Sequence, residues 1–218
     1  MRTHVYVDGF NLYYGCIRCT DFHWLDLESL LKKLLPDLQI ERIHYFTAIV
    51  AGRKDEPDKP IRQHIYLRAL RTLETVQITL GHFLTHRVPT RLVRPLESRR
   101  RTALVWKTEE KGSDVNLASL LLREAHLGLY ETAVVVSNDS DLLLQIQLVR
   151  GALRKRVGIV NPNRLHPSRV LAANCDFIRQ IRNGALRSSQ FPDVFTGARA
   201  SSRTPSAIGA GVRGRHDR

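Results

Sequence analysis

Apolar and polar positions alternate almost from the start of the chain. Val5 and Val7 flank Tyr6 and run straight into Asp8, Gly9, Phe10 and Asn11. This pattern predicts a short buried strand over 5–8 that ends on a carboxylate. From Asp26 the pattern changes to apolar residues at helical spacing, through Leu27, Leu30, Leu31, Leu34 and Leu35. Asp26 can cap that helix and Pro36 marks its stop. The β-branched and aromatic run over 40–50 predicts a strand, and the polar stretch over 51–60, with two prolines, a loop. A helix follows over 61–74, then a strand over 76–81. Residues 131–137 (ETAVVVS) form the clearest strand pattern in the chain. A helix over 141–149, a strand over 156–160, a short helix over 167–173 and a last strand over 176–178 complete the alternation.

Strands separated by helices of moderate length predict an α/β fold. Fully apolar strands such as Ala133–Val136 predict a mainly parallel sheet covered on both faces. Residues 83–110 break the pattern. They hold two prolines, a run of arginines and a strand-like segment from Ala103 to Trp106. An extended excursion or hairpin outside the central core is expected there. Lys111, Gly112, Ser113 and Asp114 then lead into a helix reaching about Leu127.

Open parallel sheets bind ligands beyond the carboxyl ends of their strands, where strand order switches. The first strand ends at Asp8. The strand of four apolar residues is followed by Ser137, Asn138, Asp139, Ser140 and Asp141, and Asp114 sits in the first turn of its helix. Each acid taken alone has a second reading, since Asp114, Asp139 or Asp141 could simply cap a helix. Taken together, Asp8, Asp114, Asp139 and Asp141 would repel one another strongly at one sheet edge. A hard divalent cation removes that penalty, and oxygen-only ligands suit Mg²⁺ or Mn²⁺ better than a structural zinc. Asn11, Ser137 and Asn138 are placed to orient water or a phosphate oxygen, and Lys111 to contact phosphate or pair with the acids. Such a site suits in-line hydrolysis of a phosphodiester. Whether one ion or two is held stays open.

Charge narrows the partner. The 218 residues carry 34 Lys and Arg against 21 Asp and Glu, a formal net charge of +13. That balance suits a polyanion. Arg87, Arg91, Arg94, Arg99, Arg100 and Arg101 cluster within the excursion and are expected to grip a nucleic-acid backbone, which positions a strand without reading its bases. The arginine-bearing final stretch, rich in Ser, Gly and Ala, has no packable apolar pattern and is expected to be disordered. Cys16, Cys19 and Cys175 make no disulfide framework, and the Cys16/Cys19 pair lacks the further ligands a zinc site needs. No apolar run approaches the length of a membrane helix. Only Arg2 precedes the first strand, with no small-residue cleavage pattern, so a cytoplasmic location is expected.

Three stretches carry a family resemblance. VDGFNLYY at 7–14, EKGSDVNLASLL at 110–121 and VVVSNDSDL at 134–142 resemble, in order and spacing, the motifs of the NYN domain, the LabA-like branch of the PIN-like nucleases. The resemblance covers about residues 3–180. It implies a PIN-like three-layer sandwich over 1–180; the basic tail over 181–218, read from composition, lies outside the likeness. The resemblance further implies an acidic Mg²⁺ or Mn²⁺ site and RNA hydrolysis. By this likeness the strand-one acid corresponds to Asp8, the amide to Asn11, the middle acid to Asp114, and the paired acids to Asp139 and Asp141. Ser140, or Asn138 just ahead, stands where the family often has glycine. RNA rather than DNA rests on the likeness alone, and a homodimer through a sheet edge or the excursion stays open. Rival folds fit less well. A haloacid-type phosphatase needs an acid where Phe10 stands, and a dinucleotide-binding domain needs G-x-G-x-x-G where the chain reads DGFNLYYG. A nucleic-acid-binding protein that keeps the fold but cleaves nothing, and a metal-dependent phosphatase or nucleotide hydrolase, remain alternatives.

Overall fold

The computed structural model describes residues 1–52, 56–93, 101–163 and 165–192. Its frame is a seven-stranded sheet in the order β4-β3-β2-β1-β5-β6-β7. The strands are β1 (Arg2–Asp8), β2 (Gln39–Ala48), β3 (Val76–Arg91), β4 (Thr102–Lys111), β5 (Thr132–Val136), β6 (Arg156–Asn161) and β7 (Phe177–Gln180). All neighbours pair in parallel except β3 and β4. The chain builds outward from β1 on one side through β2 and β3, then returns to build outward from β5 on the other. The switch in strand order therefore falls between β1 and β5.

Helices cover both faces, as strands buried on both sides require. They are α1 (Gly9–Leu12), α2 (Leu27–Leu34), α3 (Lys59–Leu70), α4 (Ser113–His126), α5 (Leu143–Gly151), α6 (Arg169–Ala173) and α7 (Asn183–Arg187). Val5, Val7, Val134 and Val136 pack with residues of α2, α3 and α7 on one face. Tyr6, Phe46, Val135 and Ile159 pack with α4, α5 and α6 on the other. The period-two alternation of each strand thus feeds two cores, and the result is the expected three-layer α/β sandwich. Asp26 caps α2 as its position suggests, accepting from the Ser29 amide at 3.0 Å.

The excursion is a hairpin, and it belongs to the sheet. The first residues of β3 pair in parallel with β2, from Val76 to Gly81. From His82 the same strand leaves the core and pairs antiparallel with β4. Thr85 and Thr108 join across it by their hydroxyls at 2.9 Å. The hairpin then returns through Lys111 and Gly112 directly into α4, so it is the arm that delivers Asp114. Arg94, Arg99 and Arg100 lie outside the described residues. Folded structure continues past residue 180. Ile181 and Leu186 are fully buried, α7 packs against α2, and Leu25 bridges Gln190. The apolar residues of this short segment have too few periods to stand out from the basic tail in the sequence. Residues 193–218 lie outside the described residues.

Candidate active site

Asp8 ends β1 at the switch point, and only 6% of it reaches the surface. Its two oxygens are fixed from different elements. Oδ1 accepts from the Asn11 amide at 2.9 Å, which caps α1, and Oδ2 accepts from Ser137 Oγ at 3.1 Å. Ser137 Oγ in turn accepts from the Asp139 amide at 3.1 Å, and Asp139 Oδ1 from the Asp141 amide at 3.0 Å. A second bridge ties the same two strand ends together. Asn11 Oδ1 accepts from the Asn138 amide at 2.9 Å, and the Asn138 side chain reaches on to the His166 carbonyl and the Ser168 amide. Asn11, Ser137 and Asn138 thus position the acids of β1 and β5 relative to each other. The capping role weighed for Asp139 is real, and Asp8 caps α1 as well, yet capping uses only part of each carboxylate.

The charges interact as well as the backbone. Burial pushes the Asp8 carboxyl up to about 6, assisted by the charges of Asp114 and Asp139 and opposed by the hydrogen bonds from Asn11 and Ser137. Asp114, at the exposed start of α4, is also raised, by desolvation first and then by Asp139, Glu110 and Asp141. The four acids therefore share one electrostatic neighbourhood. Glu110 joins them, a residue that the sequence pattern did not single out. It lies one residue before the end of β4 and holds the first residue of α4, accepting from Ser113 N at 3.1 Å and from Ser113 Oγ at 2.8 Å. Its signal was its place in EKGSD, one turn ahead of Asp114. Lys111 is directed elsewhere, with its ammonium 3.3 Å from Glu109. Arg87, Arg91 and Arg101 stand exposed along the hairpin, Arg87 over the Trp106 ring at 5.5 Å.

Two glycines set the backbone. A Cβ on Gly9 would stand 2.7 Å from the Phe46 carbonyl oxygen and 2.8 Å from the Tyr45 hydroxyl. No side chain fits between Asp8 and β2 at that point. Gly112, just before α4, has φ +99, a left-handed conformation that side chains rarely adopt.

A second polar cluster lies in the core beneath α4. Glu124 Oε2 is 2.7 Å from His4 Nδ1 and 3.1 Å from His44 Nε2, and it accepts from Tyr6 Oη at 2.6 Å. His4, His44 and Glu124 are all buried and offer ligand atoms within 4.8 Å of one another, a set able to coordinate a metal. Burial opposes the charge on Glu124, but the bonds from His4, His44 and Tyr6 outweigh it and hold the carboxyl well below the usual range. The oxygen is satisfied by protons as it stands, and an ion would have to displace them. Two imidazoles with one carboxylate suit a softer transition metal better than Mg²⁺. Sequence reasoning missed this cluster because its members are far apart in the chain, each inside an ordinary strand or helix pattern.

A mainly parallel sheet with acids gathered at its switch point and helices on both faces defines a PIN-like α/β sandwich. The NYN domain profile matches residues 2–182, and the chain belongs to the NYN domain family. A relative from Pseudomonas putida (strain DSM 28022 / S16), 6-hydroxy-3-succinoylpyridine 3-monooxygenase HspA, is 32% identical, the match covering 96% of this chain and 76% of the relative. A crystal structure of a protein of unknown function, VPA0982 from Vibrio parahaemolyticus RIMD 2210633, superposes with a TM-score of 0.54 at 17% identity. That match covers 84% of this chain and 93% of the other, and it extends the fold alone. Among the described residues no helix is long and apolar enough to cross a membrane.

Proposed function

We propose that the protein is a metal-dependent phosphodiesterase acting on RNA, an endoribonuclease whose Mg²⁺ or Mn²⁺ is held by Asp8, Asp114, Asp139 and Asp141. The observation that supports this reading is the Asp8 carboxylate at the switch point, raised first by its burial and then by the charges of Asp114 and Asp139. Oxygen-only donors of this kind fit a hard divalent cation. When bound, such an ion would polarise a phosphoryl oxygen and acidify a water. The chain's own groups do the positioning. Asn11 and Ser137 hold both Asp8 oxygens in place, while Asp114 and Asp141 approach from the exposed rim. Arg87, Arg91 and Arg101, with Arg94, Arg99 and Arg100, would hold the phosphate backbone alongside.

The test compares wild type with Asp139→Asn on labelled single-stranded RNA, tRNA and DNA, with Mg²⁺, Mn²⁺ or EDTA. Cleavage of RNA is expected with either metal, absent in EDTA, and at least about tenfold slower in the variant, since losing even a group that supports a metal ligand costs about 10–100-fold. RNA bound but intact under every condition would leave a non-catalytic binding protein in its place. Equal cleavage by the variant would move the chemistry away from these acids.

One observation favours a second reading. The relative from P. putida is named for oxygenation of a hydroxylated, succinoyl-bearing pyridine. On that reading this chain oxidises a small heteroaromatic acid. Oxygen uptake with 6-hydroxy-3-succinoylpyridine and a two-electron donor, with RNA left intact, would establish it over the first.

A further inference from the structure

From Gly9, the residue after Asp8, a cavity of about 480 Å³ opens that the phosphodiester chemistry does not use. Phe10, Tyr14, Trp24 and Tyr45 contribute its aromatic lining, and Arg18 and Arg62 its charge. We propose that this cavity binds a planar aromatic ring joined to an anionic group.

The wall is built by a local irregularity. α1 runs into a π-helical turn at Tyr13–Ile17, closed by the Arg18 amide donating to the Tyr13 carbonyl at 2.8 Å. Such turns recur at functional sites because they re-aim the side chains on one helix face. Phe10 and Tyr14 stack, with ring centres 6.5 Å apart and planes 21° apart, and the Arg18 guanidinium lies 5.5 Å from the Tyr14 ring centre. Tyr14 is nevertheless 53% exposed, so its ring is available to a ligand. The volume lies within the range of small-molecule sites.

Charge selects the ligand. Lys59 and Arg62 share one acid, Glu56, at 3.3 and 3.9 Å. Among the described residues lining the cavity, Arg18, Lys59 and Arg62 face one carboxylate, Glu56, which favours an anion. The inner wall reaches the neighbourhood of Asp8, since the Tyr45 hydroxyl lies against Gly9, the next residue in the chain.

Two sources supply that chemistry, a nucleotide unit of RNA or a free heteroaromatic acid. On the phosphodiesterase reading, on which this last step rests, the occupant is the base of a nucleotide flanking the scissile phosphate. Stacking on aromatic side chains holds a base without reading its identity.

The experiment is calorimetric titration of the full chain in EDTA with 5′-AMP, 5′-UMP and 6-hydroxynicotinate, using wild type, Tyr14→Ala and Arg62→Ala. Trp106→Phe leaves Trp24 as the one fluorescent indole to report occupancy of the cavity. Saturable binding with Trp24 quenching is expected, at least tenfold weaker in Tyr14→Ala and Arg62→Ala. Preference for the nucleotides identifies RNA as the source, and preference for hydroxynicotinate the free acid. No binding of any of the three overturns the proposal, as does binding that survives both cavity variants. Binding without RNA cleavage would sink only the nuclease reading, and RNA cleavage without binding only this one.

Discussion

At Asp8 the fold holds a carboxylate where burial and two neighbouring carboxylates disfavour its charge, so its pKa stands near 6 rather than 3.8. The sign of the stability effect follows. The folded state binds this proton more tightly than the unfolded state does. The contribution is therefore fully present below about pH 4 and is lost as pH rises through 6. At about 1.4 kcal/mol per pH unit the loss is at most about 3 kcal/mol. Asn in place of Asp8 keeps an acceptor for the Asn11 amide and removes the charge. Urea unfolding of Asp8→Asn in EDTA is expected to give a more stable protein than wild type at pH 8, by about 1–3 kcal/mol, with the gap closing towards pH 4. Mg²⁺ or Mn²⁺ should narrow it at pH 8 by stabilising wild type alone. A gap that does not change with pH would refute the argument. Asp8 was legible in the sequence because a core strand has no structural need to end on a carboxylate. Glu124 was not, because one acid among the leucines and alanines of an amphipathic helix reads as its solvent side. Only the sheet reveals that His4, Tyr6 and His44 meet it from two strands.

The element that decides the site is the β3–β4 hairpin with the helix it feeds. Asp114 reaches the other acids because β4 returns to the sheet edge and α4 starts there at once, from a left-handed glycine. A side chain at Gly112 would strain that start by about 1–2 kcal/mol and shift the first turn of α4. Gly128, at the far end of the same helix, is also left-handed, with φ +65, and a Cβ there would meet nothing within 4 Å. Gly112→Ala and Gly128→Ala should therefore lose similar stability by thermal unfolding. Only Gly112→Ala should also lose RNA cleavage, by tenfold or more, if Asp114 acts where we place it. Equal activity in the two would detach the helix start from the chemistry. The strands β1, β2, β5 and β6 could be read from their apolar runs because each is buried. The hairpin could not be read as firmly, since much of β4 is exposed and a strand without a buried face carries little alternation to find.

At the scale of the whole molecule, four acids gather at one edge of the sheet, Asp8, Asp139 and Asp141 at or just past the carboxyl ends of β1 and β5 and Asp114 at the start of α4, inside a chain of net charge +13. Counting which strands end in carboxylates was enough to anticipate that edge, because topology rather than local sequence brings Asp8, Asp114 and Asp139 together. Where RNA runs across the surface depends on which cations it meets. The hairpin presents Arg87, Arg91 and Arg101 on the arm that leads to α4. A second basic patch, with Arg150, Arg154, Lys155 and Arg156, lies towards the amino end of β6, away from the acids. Removing one cation from a phosphate lowers the slope of log K against log salt by about 0.7 for a single strand. Replacing Arg87, Arg91 and Arg101 together by alanine is expected to flatten that slope by about 2, measured by fluorescence anisotropy on single-stranded RNA in EDTA. The weakening should be similar for different RNA sequences, because phosphate contacts carry no base readout. Unfolding midpoints should hardly move, since all three side chains are exposed. An unchanged slope would take RNA off the hairpin, and a matching flattening on replacing Arg150, Arg154 and Arg156 would move its path to the opposite edge of the sheet, beyond reach of Asp8.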